Sequence, residues 1–191
     1  MLFQGQEFAS SKPFHFFADH HDDLRPLVHA GRIQFLSQFV SLAQQSRCFF
    51  PDPGDRATFD QCKLDFRERE THAGIYRMHK DLIRLRKEDD ALHAPNIDGA
   101  VLGDQALVLR FFPGDGRDRL LLVNLGPDLD LDIAPEPLLA PPGGALWTVE
   151  WSSEDPAYGG GGYPPPDGPR GWRLSAESAI LMQPGGVNPW L

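Results

Sequence analysis

At 191 residues with 41% hydrophobic side chains, the chain has material for one ordinary domain or two small ones, each with a buried core. Its 27 acidic against 18 basic residues leave a formal charge of -9, which gives phosphate backbones and anionic lipid heads no attraction. Two cysteines, Cys48 and Cys62, without CxxC or Cys/His spacing, exclude a disulfide framework and offer no zinc site. No apolar run approaches the roughly 18 residues of a membrane helix, and no basic-then-apolar leader opens the chain. The expectation is a soluble, reduced, cytoplasmic protein with no nucleic-acid and no membrane partner.

Taken in chain order, the first periodic segment carries Leu24, Leu27, Val28, Phe35, Leu36, Phe39 and Val40 at helical spacing and predicts a helix running to about Ala43. Pro51-Asp52-Pro53-Gly54-Asp55 then forms a loop, since prolines remove amide donors and glycine permits unusual dihedrals. From Thr71 a second helix places Ile75, Met78, Leu82 and Leu85 on one stripe and Arg77, Lys80, Arg84 and Lys87 toward water, and Pro95 ends any helical continuation. Beyond Pro95 short apolar runs alternate with Gly, Pro and Asp, and strands are predicted at 106–112, 119–125, 129–133, 145–151, 172–174 and 178–182. Such spacing predicts an antiparallel β-sandwich over 96–191, distinct from a helical region over 1–95. Gly159 to Gly162 followed by Pro164 to Pro166 predicts an exposed loop.

Several constellations carry chemistry-bearing residues. Asp19-His20-His21-Asp22-Asp23 groups five metal-ligand types, but adjacent side chains point apart and converge on an ion only with help from elsewhere. With Phe14, Phe16 and Phe17 just before it, the same segment reads equally as a loop lining a sugar groove, since rings stack on aromatic faces and carboxylates and imidazoles bind hydroxyls. A solvated start of a helix with core phenylalanines remains open beside it. Asp128, Asp130 and Asp132 mimic the opening of a calcium loop, but Ile133 stands at the glycine position and Leu139 at the closing glutamate, so a half-exposed strand is expected. His72 and His79, about 10 Å apart along one predicted helix, are too far apart for one metal. No GxSxG, phosphate-cradling loop or dinucleotide fingerprint is present, and Gly114-Asp115-Gly116 reads as a hairpin turn.

Met1 to Phe8, with its G-x-E element at Gly5-Gln6-Glu7 and the aromatic Phe8, resembles the eighth barrel strand of the α-amylase superfamily. Pro13-Phe14-His15-Phe16-Phe17-Ala18-Asp19-His20, Gly31-Arg32 with Phe35, Pro51 to Phe59, and Lys63-Leu64-Asp65-Phe66 resemble P-F-x-F-F-x-D-H, G-R-x-x-F, P-D-P-x-D-x-A-T-F and K-L-D-W of the malto-oligosyltrehalose trehalohydrolases, with Phe66 in place of tryptophan. Tyr76 to Arg86 is similar to the last barrel helix, and Leu120 to Leu125 to a strand of the C-terminal sandwich.

That resemblance implies an α+β chain: residues 1–95 as the last strand, loop and helices of a (β/α)8 barrel, and 96–191 as the antiparallel β-sandwich. It implies a retaining glycoside hydrolase that cuts the α-1,4 bond beside the trehalose end of maltooligosyl trehalose without a cofactor or a metal. The nucleophile and acid of such an enzyme stand about 5 Å apart and come after earlier barrel strands, so none is expected here. Met1 falls on an apolar position of the barrel strand, which suggests an internal start, a truncated gene or an excised fragment, itself inactive. Glu7, Phe8, Phe14, Asp19 and His20 are the residues expected to shape or contact the sugar site at the barrel's catalytic face. A lone parallel strand needs neighbours, either the rest of the barrel or a second copy. The rival expectations are a non-catalytic carbohydrate-binding or structural module using Trp147, Trp151 or Trp172, and the C-terminal part of a branching enzyme.

Overall fold

The computed structural model describes residues 2–40, 51–168 and 171–187. Cys48 and the end of the first predicted helix therefore lie outside the described residues. The chain divides into two compact units, Met1–His72 and Ala73–Leu191.

In the first unit the segment resembling a barrel strand holds no strand among the described residues. Gln6–Phe8 is a 3₁₀ turn entered through Gly5 at φ 76°. A parallel barrel strand is stabilised by partners on both edges, and without them local hydrogen bonds prevail: Phe8 N–H reaches the Gly5 carbonyl and Ser10 N–H the same oxygen. Gly5 is required there, because a Cβ would lie 2.6 Å from Ser10 Cβ and 2.8 Å from Leu64 Cδ2. Helix α1 spans Arg25–Leu36 with Pro26 in its first turn. It stops at Ser37, where the Ser37 hydroxyl and the Gln38 side-chain amide donate back to the Gln34 and Phe35 carbonyls. None of its residues is buried, and Leu27 and Phe35 are 68% and 52% exposed. Among the described residues the predicted apolar stripe is exposed or half-buried. Beyond residue 50 the described residues include two short helices, α2 at Arg56–Gln61 and α3 at Glu68–Thr71.

The second unit opens with helix α4, Ala73–Glu88. Ile75, Met78, Leu82 and Leu85 are half-buried while Arg77, Lys80, Arg84 and Lys87 are exposed, as the periodicity predicts. Among the described residues eight strands follow: β1 Asn96–Gly103, β2 Ala106–Phe112, β3 Arg119–Asn124, β4 Leu129–Leu131, β5 Ala145–Ser152, β6 Asp167–Gly168, β7 Gly171–Leu174 and β8 Ser178–Val187. They form a five-stranded sheet in the order β1-β2-β3-β8-β5 and a three-stranded sheet in the order β4-β7-β6, with every pairing antiparallel. The arrangement is sandwich-like. Val108, Leu120, Leu122, Ile180 and Met182 from the larger sheet and Leu174 from the smaller are buried in one cluster, closed by Leu139 and Trp147. Alternation explains the choice, since residues two apart along β2 and β3 share the inner face.

The compact units part at His72, whereas composition changes at Pro95, because side chains of α4 and its C-terminal turn are tied into the second unit. Tyr158 donates to Asp81 at 2.9 Å, and Arg119 meets Asp89 at 2.7 Å. His72 and His79 consequently do not share one helix: His72 caps α3, and its Nδ1 donates to the Phe8 carbonyl at 2.8 Å. No helix among the described residues is long and apolar enough to cross a membrane.

Candidate functional site

The first unit assembles its site from two segments that the sequence marks separately. Pro53 accepts a backbone hydrogen bond from Ala18 at 2.9 Å, which lays the Phe14–His20 loop beside the Pro51–Phe59 segment. Local chemistry fixes the second segment. Asp52 accepts from Gly54 N–H at 2.8 Å, Asp55 caps α2 by accepting from Ala57 N–H at 2.9 Å, and Thr58, 2% exposed, donates to the Asp52 carbonyl at 2.7 Å. Cys62 is buried and accepts from His15 N–H at 3.2 Å, which pins the other end of the loop.

A cleft of about 550 Å³ opens between them, lined by Phe17, Asp19, Arg25, Pro53, Arg56 and Phe59 among others. Phe17 and Phe59 meet edge to face, with centroids 5.0 Å apart. Arg25 stands 3.6 Å from Asp19 and donates to the His20 carbonyl at 3.2 Å. A smaller cleft of about 210 Å³ lies against Phe14, Phe16 and Arg32, with the Arg32 guanidinium 5.2 Å from the Phe16 ring. Aromatic faces flanked by carboxylates and guanidinium groups suit a ring carrying hydroxyls.

Among the residues expected at the site, Asp19 lines the larger cleft and Phe14 the smaller. Glu7, Phe8 and His20 line neither. Glu7 and His20 are half-exposed. Phe8 is fully buried, 6.0 Å from Phe66 with the Arg69 guanidinium 5.4 Å from its ring. The sequence does not single out Arg25, Arg56 or Phe59 as site residues; for Arg56 and Phe59 the loop prediction at Pro51 to Asp55 is the available signal, since a Pro/Gly turn ahead of an N-capped helix presents the residues just after it. The carboxylate engaged beside the 3₁₀ turn is Glu68, which accepts from Ser10 Oγ at 2.8 Å, from Ser11 N–H at 3.1 Å and from Ser11 Oγ.

Three carboxylates of this unit, outside both clefts, are held below their ordinary range. The Ser11 and Ser10 hydroxyls hold Glu68 below the ordinary carboxylate range, the Lys63 ammonium does the same for Asp60, and the Arg67 guanidinium lowers Asp65 to about 2. A general acid of a glycosidase needs the opposite shift. Among the described residues no group of three His, Cys, Asp or Glu side chains is placed to hold a metal ion.

The chain is 41% identical over 132 residues to malto-oligosyltrehalose trehalohydrolase of Deinococcus radiodurans, a match covering 67% of this chain and 21% of that protein. It is 37% identical over 101 residues to the protein of that name from Mycobacterium tuberculosis, covering 51% and 17%. It is also 33% identical over 164 residues to the one from Brevibacterium helvolum, covering 80% and 27%. The chain is related to the malto-oligosyltrehalose trehalohydrolases. A family described as a domain of unknown function, DUF3459, matches residues 96–181, within the sandwich-like unit. The chain thus spans about a quarter or less of the length of these trehalohydrolases.

Proposed function

We propose that the chain is the C-terminal part of a retaining glycoside hydrolase that cleaves the α-1,4 bond next to the trehalose end of maltooligosyl trehalose and releases trehalose. Residues 1–95 are read as the last strand, loop and helices of a (β/α)8 barrel and 96–191 as its β-sandwich, in a cytoplasmic protein. Support comes from the names its relatives carry and from one observation, the joining of the Phe14–His20 loop to the Pro51–Phe59 segment around an aromatic and charged cleft. In this reading Asp19 and Phe14 meet the sugar, Glu7 and His20 complete the rim, and Phe8 supports the turn beneath. The nucleophile and the acid, about 5 Å apart across the scissile bond, belong to parts of the whole protein outside this chain. The exposed face of α1 is where the rest of the barrel, or a second copy, would pack.

The test is trehalose release from maltooligosyl trehalose by the purified chain, beside a version extended upstream through its reading frame. Activity only in the extended protein, reduced by Asp19→Ala, is the expected outcome. Turnover by the 191-residue chain alone would refute the assignment of the carboxylates, and an inactive extended protein would refute the reaction.

A further inference from the structure

The second unit contains a larger cleft, of about 720 Å³, that the proposed reaction does not use. It lies between α4 and β5, with Arg84 and Leu85 on the helix side, Glu150 and Trp151 on the strand side, and Tyr158 at the end. Its walls are held before any ligand arrives. Arg119, 8% exposed, lines the cleft and binds Asp89 through two N–H groups at 2.7 and 3.2 Å and Glu150 at 3.1 Å, tying the turn after α4 to two strands. Tyr158 is fixed by its bond to Asp81, which also pairs with Arg84 at 3.1 Å. The 3₁₀ turn Pro156–Tyr158 is set in turn by backbone packing: a Cβ on Gly160 would come within 2.3 Å of the Glu154 backbone, and one on Gly74 within 2.6 Å of the Tyr158 carbonyl.

Trp151 and Tyr158 stand side by side with centroids 6.2 Å apart and planes tilted by 36°, both half-buried. Around them the cleft sets two guanidinium groups among four carboxylates, Asp81, Glu88, Asp89 and Glu150, and the ion pairs Arg84–Asp81, Arg119–Asp89 and Arg119–Glu150 engage three of those carboxylates. A small anion is disfavoured by the excess of carboxylates in that lining. A neutral ligand with many hydroxyls and one apolar ring face gains hydrogen bonds at the rim and contact with the indole.

We propose that this cleft is a second carbohydrate site, binding a short α-glucan segment against Trp151 and Tyr158 with Arg84 and Glu150 on its hydroxyls. The choice of an α-glucan among polyhydroxyl ligands rests on the reaction proposed above; the cleft and its walls do not. A pre-organised site on the sandwich unit would hold a neighbouring length of the polymer while another segment reacts, a gain in effective concentration and not in chemistry.

The experiment uses the 191-residue chain and maltoheptaose, with tryptophan fluorescence and amide chemical shifts as readouts. Saturable binding with shifts centred on Arg84, Trp151 and Tyr158 is expected, weakened about ten-fold in Trp151→Ala, the effect of losing one stacked ring of ~1.4 kcal/mol. Circular dichroism checks that this variant folds; Arg84→Ala, at an exposed helix position, is the second variant and should weaken binding at least three-fold. A folded chain that shows no saturation at about 20 mM, twenty times a millimolar Kd, overturns the proposal. So does saturation by spermidine without maltoheptaose, or shifts confined to residues 14–20 and 52–59. Trehalose release by the extended protein reads the catalytic proposal separately, so binding without turnover and turnover without binding are distinct results.

Discussion

Breaking the ion pair inside the sandwich-like unit should cost far more than breaking one on its surface. Arg110 and Asp118 are 7% and 6% exposed, with guanidinium nitrogens 2.9 and 2.7 Å from Asp118 Oδ2. The same guanidinium donates to the Leu138 carbonyl at 3.0 Å and to that of Ala140, and its Cζ stands 5.3 Å from the Trp147 ring. Asp118→Ala removes the only carboxylate among those partners and leaves a cation in the core, a change worth about 3–5 kcal/mol. At about 4 °C per kcal/mol for a unit of this size, its Tm should fall by roughly 12–20 °C. Urea unfolding followed by tryptophan fluorescence reports this unit, which holds Trp147, Trp151 and Trp172. The decisive comparison is the double variant Arg110→Met/Asp118→Leu, expected near wild type because apolar replacement of a buried pair is often neutral. A single-variant cost below about 1 kcal/mol, the range of exposed pairs, would refute the reasoning.

Three further outcomes rest on the same geometry. Burial, and then repulsion from Asp89, raises the Glu150 pKa despite the attraction of Arg119. A raised folded pKa gives stability that is present below the unfolded value of 4.5 and lost as pH rises through the folded one. Glu150→Gln should therefore raise Tm at pH 7.5 and lose that advantage toward pH 4.5; an equal change at both would contradict the assignment. Gly160→Ala should destabilise by about 1–3 kcal/mol through overpacking, whereas Gly161→Ala, with nothing within 4 Å of its Cβ, should leave the melting curve in place. Leu122→Ala, at a position 1% exposed, should cost about 2–5 kcal/mol, measured by urea unfolding.

The sheet region was legible because alternation with Gly and Pro punctuation is a local signal: β2 begins and ends where the pattern does, and β5 differs by one residue. β1 escaped because Asn96, Asp98, Gly99 and Gly103 dilute the pattern; it is an edge strand whose order comes from pairing with β2. Gly159 to Gly162 is a loop, as composition predicts, but Gly160 and Gly162 bond back to the Asp155 and Glu154 carbonyls, a close approach that composition does not encode. Trp147 is buried and donates to the Leu139 carbonyl, as core packing predicts, while Trp151 and Trp172 are half-buried. At the candidate site, Phe14 and Asp19 were visible as motif residues; Arg25 joins Asp19 by a short-range ion pair, whereas Phe59 is brought there by the Ala18–Pro53 backbone contact, which spans more than thirty residues of sequence.

Strand β8 lies between β3 and β5 and supplies Ile180 and Met182 to the core, although it is made after every other strand. During synthesis, at about 5–20 residues per second, β1, β2 and β3 can zip as a meander while β5 waits without a neighbour. The unpaired edges of β3 and β5 are thus open to chaperones or to aggregation until Ser178–Val187 leaves the ribosome, and a nascent chain stalled before that point would present two half-sheets instead of one.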